Sequence, residues 1–415
     1  MLAPNRPPEQ LDDRATWRMS VLVLVFCFLT SMLARGAQEI FSVYLLPIST
    51  ELGWDHAVVL SINSLTWLLS GAAGPFVGRL FDRAGPRTVY LGGFLLLGLA
   101  WISGSLSQHY WQMQLSLGIA TGAGFACLGN ISASLVLARW FGPRLPTAMA
   151  MMFAAGGVGI QLWLPISQLL INHLGWRGAY FACGAAVLGL MIPTALLPWR
   201  RLAAGRAGLA PAASLDAITP GPTLREAIRN PAFWGLASTF FFTGTGITAI
   251  TVQVVAYLVE VGFAPLEAAT AWGFTGLMMF IGLSSVGWLD GILGRMPTML
   301  LTYSMTSTGL LVLWLLHRYP SPWLLGAFLV CFGCTLSSRG PLVSASAMQL
   351  FRGRHLGTIF GTISIASGLG PAFGSFIGGV IHDLTQAYDW VIVFSLFSIW
   401  MGMVPFIAIP ALRKI

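Results

Sequence analysis

Long apolar stretches follow one another along nearly the whole chain, separated by short segments rich in charged residues, Pro or Gly. A helix that crosses a membrane needs about 20 apolar residues, and most of these stretches reach that length. The pattern therefore predicts twelve membrane-spanning helices, numbered here as spans 1 to 12. Their predicted limits are 19–47, 56–80, 88–107, 110–140, 145–172, 177–198, 231–260, 265–290, 296–317, 322–350, 355–383 and 388–412.

A single long polar interval divides the chain. It is rich in Ala, Pro, Gly and Arg, a composition typical of a linker rather than of a span. We therefore expect two halves of six helices each, with short polar tails on the same side of the membrane. The predicted units are a tail at 1–18, a bundle at 19–198, a linker at 199–230, a bundle at 231–412 and a tail at 413–415.

The two halves repeat at an offset of about 209 residues. Gly53 matches Gly262 in similar surroundings, and Asn130 of span 4 matches Arg339 of span 10. Repeats of this kind are typical of transport proteins, whose substrate sites lie between the repeated units. The sequence thus predicts a duplicated, all-α membrane bundle.

Composition and charge support this picture. Hydrophobic residues make up 56% of the chain and charged residues 9%, too few to solvate a water-facing surface of this size. The formal net charge of +8 raises the question of nucleic-acid binding. However, 18 of the 22 Lys and Arg residues lie in the tails, the linker and alternate loops, and the exceptions are Arg35, Arg177, Arg318 and Arg339.

This bias follows the positive-inside rule, so we expect both termini to be cytoplasmic and the partner to be lipid, not nucleic acid. The apolar run of span 1 is longer than a signal-peptide core, so no cleavage is expected. The expected location is a bacterial inner (plasma) membrane.

Several classes of function are disfavoured by the residues present. The only lysine is Lys414, which excludes the lysine-containing phosphate loop of an ATP-driven pump. The six histidines lie at span ends in separate loops, and all five cysteines lie in apolar segments. We therefore expect no disulfide framework, no cofactor and no metal, and we interpret Cys331 and Cys334 as packing residues. An enzyme is disfavoured on the same grounds, and a channel is disfavoured by the duplication.

The loop after span 2 carries a recognisable motif. It reads Gly78-Arg79-Leu80-Phe81-Asp82-Arg83-Ala84-Gly85-Pro86-Arg87, and a degraded copy, Gly287-Trp288-Leu289-Asp290-Gly291-Ile292-Leu293-Gly294-Arg295, follows one half-length later. This motif resembles the signature of the major facilitator superfamily. The resemblance implies twelve helices in two pseudo-symmetric six-helix bundles and a secondary transporter that works by alternating access, which we expect to be monomeric.

The motif residues form a candidate conformational latch. A carboxylate at a helix end can hold the loop arginines and the positive N-terminus of a neighbouring helix, and release them as the halves rock. The alternative is an ordinary solvated loop that follows the charge rule. The predicted latch residues are Gly78, Asp82, Arg83, Gly85, Arg87, Asp290 and Arg295.

Two further patches are similar to the monocarboxylate and oxalate:formate transporter branch. They are Arg139-Trp140-Phe141-Gly142-Pro143-Arg144 with the glycines that follow it, and Arg352-Gly353-Arg354-His355-Leu356-Gly357-Thr358-Ile359-Phe360-Gly361. Span 8 of such transporters commonly carries an acidic residue and an arginine one turn apart. The matching positions here are Met279 and Leu283, so either the anion site has moved or the substrate differs.

Three charged residues fall deep within predicted spans, where a charge costs roughly 2.5 to 3.5 kcal/mol and usually has a function. Arg339 has no acidic residue nearby in sequence and is predicted to bind the substrate anion, because guanidinium matches a carboxylate bidentately. The alternative is that Arg339 has a structural role. Arg35 is a second candidate anion ligand, and Glu39 a candidate proton carrier. The two are also spaced to neutralise each other on one helix face.

Four uncharged residues are added as candidate cavity-lining groups: Asn130, Gln253, Tyr257 and Trp272. Asn130 is included because it mirrors Arg339 across the repeat. The function predicted from all of this is transport of a small organic anion, a mono- or dicarboxylate, with proton symport or anion exchange. The alternative is an exporter of amphipathic or cationic compounds in which Arg339 is structural, although residues 154–165 lack the glycine and proline run usual in span 5 of drug exporters.

Overall fold

The computed structural model describes residues 13–141, 145–205, 222–351 and 356–413. Most of the predicted N-terminal tail, the middle of the linker and parts of both transporter-like patches lie outside these ranges. Within them, nine helices are long and apolar enough to cross a membrane, and two shorter helices are also apolar. This set is consistent with the twelve predicted spans.

The N-terminal half contains spans 1 to 6. Its helices are Asp13–Glu39 and Phe41–Leu52 (span 1), His56–Ala72 (span 2), Gly74–Ser105 (the end of span 2 and span 3), Tyr110–Met113, the π-helix Gln114–Ala120, Thr121–Leu128 and Asn130–Ala138 (span 4), and Leu145–Ala195 (spans 5 and 6). A short helix, Trp199–Ala204, follows.

The C-terminal half contains spans 7 to 12. After the short helix Leu224–Arg229, its helices are Pro231–Thr251 and Val254–Glu260 (span 7), Pro265–Leu293 (span 8), Arg295–Arg318 (span 9), Pro322–Gly333 and Arg339–Leu350 (span 10), Leu356–Ser364 and Ala366–Thr385 (span 11), and Asp389–Ala408 with Pro410–Arg413 (span 12).

One helical stretch is too long to be a single span. Leu145–Ala195 contains 51 residues, and at about 1.5 Å per residue it would measure more than twice the thickness of the hydrocarbon core. Gly175 interrupts it with φ +69°, a conformation that glycine adopts without the steric cost of a Cβ. The stretch therefore divides into spans 5 and 6 at this glycine.

The predicted duplication has a counterpart in the backbone. Gly53 and Gly262 both have positive φ, at +63° and +111°. Gly85 and Gly294, in the two copies of the loop motif, also have positive φ, at +79° and +84°. Both pairs are separated by the repeat offset, so the same turns recur in the two halves.

Spans 4 and 10 are interrupted at matching positions. Gly129 is extended, with φ −76° and ψ −169°, and a new helix begins at Asn130. Span 10 leaves the α-helix after Gly333 and resumes it at Arg339. Irregular backbone at membrane depth is tolerated only where protein or water satisfies the freed polar groups. Asn130 and Arg339 thus begin equivalent helices in the two halves.

The two halves meet along two pairs of spans. Gly71 of span 2 faces Gly368 of span 11, where an added Cβ would lie 2.9 Å from the opposing Cα. Gly157 of span 5 faces Gly276 of span 8, where an added Cβ would lie 2.2 Å from the opposing carbonyl oxygen. Small residues allow such close backbone packing. We call the end of the bundle where span 1 begins and span 12 ends the linker face, and the opposite end the distal face.

Candidate functional site

An ion pair lies near the middle of span 1. Nη2 of Arg35 is 2.8 Å from Oε1 of Glu39, one turn further along the helix. Arg35 Nη1 also donates to Oε1 of Gln38 at 3.3 Å. Glu39 is 9% exposed, whereas Arg35 is 26% exposed. The i, i+4 pairing anticipated from the sequence is therefore present, and its cationic member remains accessible.

Arg35 lies between the two halves. Its guanidinium carbon is 5.9 Å from the ring centroid of Trp67 on span 2. A Cβ added to Gly156 of span 5 would lie 2.9 Å from Cγ of Arg35 and 3.8 Å from Cε of Met279 on span 8. Gly156 of span 5 therefore lies between Arg35 of span 1 and Met279 of span 8.

Close packing of spans 1 and 5 holds Arg35 in this place. A Cβ on Gly36 would lie 2.6 Å from the carbonyl oxygen of Gly159, and a Cβ on Gly159 would lie 2.0 Å from the carbonyl oxygen of Met32. The two backbones are therefore in direct contact on either side of Arg35. A larger residue at either glycine would push the helices apart and displace the guanidinium.

Arg339 lies elsewhere, inside the C-terminal bundle. It is 4% exposed, and its Nη2 donates to the carbonyl oxygen of Thr302 at 2.7 Å and to the hydroxyl of Thr306. Its guanidinium carbon is 4.3 Å from the ring centroid of Tyr303, a cation–π distance. The hydroxyl of Tyr303 in turn lies 2.7 Å from Oγ1 of Thr243 on span 7. Span 9 therefore forms most of the surroundings of this arginine.

The charge of Arg339 is not balanced by an acidic residue. No carboxylate lies within ion-pair distance of it in the described ranges, and its Nε and Nη1 atoms are buried without a hydrogen-bond partner there. Burying an unpaired guanidinium costs several kcal/mol. Two strong donors are thus left without acceptors among the described residues.

The uncharged candidates do not gather around either arginine. Asn130 is exposed on span 4. Gln253 lies beside Gly378 of span 11, with its Oε1 buried and unpartnered among the described residues. Tyr257 donates to the carbonyl oxygen of Leu313 at 2.5 Å, towards the distal face. Trp272 is fully buried and stacks on Phe328 in the C-terminal bundle.

The two copies of the loop motif differ in their contacts. Asp290 accepts bonds from Nε and Nη2 of Arg295 at 2.8 and 2.9 Å, and Nη1 of Arg295 donates to Ser346 of span 10 at 2.8 Å. In the first copy Asp82, Arg83 and Arg87 are exposed. Asp82 makes no ion pair or hydrogen bond within the part of the chain that the structure describes. Gly78 is partly exposed and Gly85 forms the turn.

A polar contact between the halves lies at the distal face. Asp383, near the end of span 11, accepts the backbone N–H groups of His56 and Ala57 at the start of span 2, at 3.0 and 2.6 Å. The rings of His56 and His382 stack with centroids 4.3 Å apart. Deeper in, Asn63 donates to Ser375 at 3.2 Å. We expected the histidines to lie in separate loops without forming a cluster, and the packing of span 2 on span 11 brings two of them together.

An open groove of about 560 Å³ lies between spans 5, 8 and 10. Apolar side chains such as Leu266, Phe274 and Leu329 line most of it, and its one charged residue is Glu267. No Arg, Lys or His side chain of the described residues lines the groove, so it offers no positive charge to bind an anion. The accessible guanidinium of Arg35 lies outside this groove, where the two halves meet.

Sequence comparison supports the fold. A sequence model described as the Major Facilitator Superfamily matches residues 24–375. Monocarboxylate transporter 13 of Bos taurus is 25% identical over 373 residues, which cover 88% of this chain and 84% of the relative. Monocarboxylate transporter 4 of Rattus norvegicus is 25% identical over 385 residues, which cover 90% and 79%.

A bacterial relative covers more of the chain. The uncharacterized MFS-type transporter YcxA of Bacillus subtilis (strain 168) is 23% identical over 414 residues, which cover 95% of this chain and 97% of the relative. These matches point to a transporter and not to an enzyme. With its helical bundle, its repeated loop and the family match over residues 24–375, this multi-pass membrane protein belongs to the major facilitator superfamily.

Proposed function

We propose that the chain is a secondary active transporter that moves a small organic anion, a mono- or dicarboxylate, by alternating access. The observation that supports this most directly is the accessible Arg35, which lies where the two halves meet. A guanidinium presents a planar set of donors that matches a carboxylate bidentately. The relatives named monocarboxylate transporters favour the same class of substrate.

The charged pair on span 1 supports an account of why residues 271–288 of span 8 carry no charge. Arg35 and Glu39 have the one-turn spacing that such transporters commonly have on span 8, and Gly156 of span 5 lies between Arg35 and Met279. We infer that the anion site is on span 1 of the N-terminal half, and not on span 8 of the C-terminal half. A substrate carboxylate would then replace or share the bond between Arg35 and Glu39.

Arg339, the first candidate anion ligand from the sequence, remains a candidate beside Arg35. Its two unpartnered donors are available for an anion. Ser337, two residues earlier, donates to the sulfur of Met279 at 3.1 Å. The irregular part of span 10 therefore contacts span 8 close to Arg339. The alternative structural role rests on the contacts of Arg339 with Thr302 and Tyr303.

We propose that the linker face is cytoplasmic and that the described conformation opens towards it. The charge bias of the loops supports this orientation in a bacterial inner membrane. Asp383 binds the N-terminus of span 2 at the distal face, whereas Asp82, at the linker end of span 2, has no partner among the described residues. This is the contact pattern expected when one end of a carrier is closed and the other is open. We further propose that the carrier acts as a monomer.

A binding screen followed by a transport assay tests the proposed function. A ligand that prefers the folded state raises the melting temperature, so purified protein is screened against carboxylates, amines and sugars. We expect a carboxylate to stabilise the protein and to drive counterflow in proteoliposomes, because only a carrier accelerates labelled uptake when it is loaded with unlabelled substrate. If cationic amphiphiles stabilise the protein and carboxylates do not, the exporter alternative is correct.

Glu39 is the proposed proton carrier. Its ion pair with Arg35 supports this role, because a carboxylate substrate on Arg35 would compete with Glu39 for the same guanidinium. Glu39→Gln is expected to abolish the dependence of net uptake on a pH gradient while exchange continues. Both are measured in proteoliposomes, with Glu51→Gln as a control at the exposed end of span 1. Accumulation that is still driven by protons in Glu39→Gln would contradict the proposal.

Asp82 is the proposed latch of the linker face. Asp82→Asn is expected to slow transport several-fold and to change substrate affinity little, because the carboxylate acts between conformations. The melting temperature should stay unchanged, since Asp82 makes no ion pair or hydrogen bond with the described residues. The matched variant Asp290→Asn should lower it, because Arg295 would lose its carboxylate partner. An Asp82→Asn protein that transports at the wild-type rate would rule out the latch.

A further inference from the structure

Three groups with metal-binding atoms meet at the distal face. They are the imidazoles of His56 and His382 and the carboxylate of Asp383, and their ligand atoms all lie within 4.8 Å of one another. His56 belongs to the N-terminal half, and the other two belong to the C-terminal half. Any ion bound by all three therefore links the two bundles.

The ligand atoms can still bind a metal ion. Nδ1 of His56 is buried and has no hydrogen-bond partner among the described residues. Nδ1 of His382 lies 3.5 Å from Oδ1 of Asp383, a distance too long for a strong bond. Each oxygen of Asp383 already accepts one backbone N–H, but a carboxylate oxygen has a second lone pair. His382 and Asp383 are 12% and 19% exposed, so an ion can enter from the distal side.

The geometry is close to that of a transition-metal site. Bonds of about 2.0 to 2.2 Å in a tetrahedral zinc site place the ligand atoms about 3.3 Å apart. The atoms here need to approach by no more than about 1.5 Å to reach this spacing. The two imidazole planes are nearly parallel, at 16°, so the rings must also turn about their Cβ–Cγ bonds before both nitrogens face one ion.

The ligand set indicates the class of metal. Two imidazoles and one carboxylate suit zinc and its neighbours in the first transition row, whereas calcium and magnesium prefer oxygen ligands only. We propose that His56, His382 and Asp383 bind a divalent transition metal such as Zn²⁺, which clamps the distal ends of spans 2 and 11 together. The fourth position is left for water.

Binding is tested with Zn²⁺ alone on the full-length protein in detergent, after treatment with EDTA. Isothermal titration is expected to show one Zn²⁺ per chain, and the melting temperature should rise with Zn²⁺ concentration. His56→Ala and His382→Ala should each weaken binding at least about tenfold, as losing a ligand costs no less than losing an outer-shell partner. Co²⁺ should give the intense visible bands of a tetrahedral site in wild type only.

The controls separate a built site from adventitious histidine binding. His109→Ala removes an exposed histidine elsewhere on the distal face and should leave the affinity unchanged. His382→Phe keeps an aromatic ring in the stack and serves if the alanine variant is not monodisperse. No saturable binding at millimolar Zn²⁺, or wild-type affinity in a folded His56→Ala/His382→Phe protein, would overturn the proposal.

The effect on transport rests on the proposed function and is measured separately. Zn²⁺ applied from the distal side is expected to slow counterflow in wild type, to be reversed by EDTA and to have little effect on the double histidine variant. If Zn²⁺ binds as described but counterflow is absent with every carboxylate, the metal site stands and the proposed substrate class fails. If counterflow proceeds and Zn²⁺ does not slow it, the clamp is wrong.

Discussion

Replacing Arg35 by glutamine is expected to weaken carboxylate binding by about tenfold to more than a hundredfold, since a charge-assisted hydrogen bond in a shielded site contributes about 1.5 to 3 kcal/mol. Arg35→Lys keeps the charge but loses the planar fork, so an intermediate loss is expected. Affinity is measured by titration of purified protein, and transport by counterflow. Arg318→Gln, which removes an exposed arginine at the distal face, is the matched control.

A second variant removes an ambiguity in this test. Arg35→Gln leaves the buried Glu39 without its partner, so a loss of binding could result from disturbance of span 1 rather than from a lost ligand. The Arg35→Gln/Glu39→Gln protein contains no unpaired charge at this position. If this double variant melts like wild type and still binds no carboxylate, Arg35 is the ligand. If it binds with wild-type affinity, the anion site lies elsewhere and Arg339 is the next candidate.

Replacing Arg339 by methionine is expected to lower carboxylate affinity at least about tenfold without lowering the melting temperature. The physical reason is the missing counter-charge: removing an unpaired buried guanidinium also removes its desolvation cost, so an apolar side chain of similar length is tolerated or even stabilising. Arg339→Lys and Arg339→Gln are both expected to weaken binding, Gln more than Lys, because lysine keeps the charge and loses only the planar fork. Thermal unfolding and ligand titration are measured on the same monodisperse samples.

Arg295 provides a matched control for Arg339. It is buried to a similar extent, at 8% against 4% exposed, but it has a bidentate carboxylate partner. Breaking a fully buried pair costs about 3 to 5 kcal/mol, and less is expected here because Asp290 is 23% exposed. Arg295→Met should therefore destabilise the protein, whereas Arg339→Met should not. If Arg339→Met lowers the melting temperature as much as Arg295→Met and keeps its carboxylate affinity, Arg339 is structural.

The architecture could be predicted from the sequence because it depends on local patterns of apolar and polar residues. Apolar stretches of about 20 residues predict spans wherever they occur. The backbone of such a stretch must satisfy its own hydrogen bonds in lipid, which an α-helix does within one segment. The repeat of Gly53 with Gly262 and of Gly85 with Gly294 was visible in the sequence, and both pairs have the positive φ of equivalent turns. The pairing of Arg35 with Glu39 follows from helix periodicity alone.

The surroundings of the functional residues could not be obtained in this way, because they depend on helices far apart in the chain. Arg339 contacts Thr302 and Tyr303 only because span 10 packs on span 9. His56 meets His382 and Asp383 across more than 300 positions, and Gly156 lies between Arg35 and Met279 only because spans 1, 5 and 8 converge. Hydropathy fixes which segments enter the membrane, but lipid is equally favourable around every apolar helix face. Close packing of glycines and pairing of buried polar groups then select the neighbours of each helix.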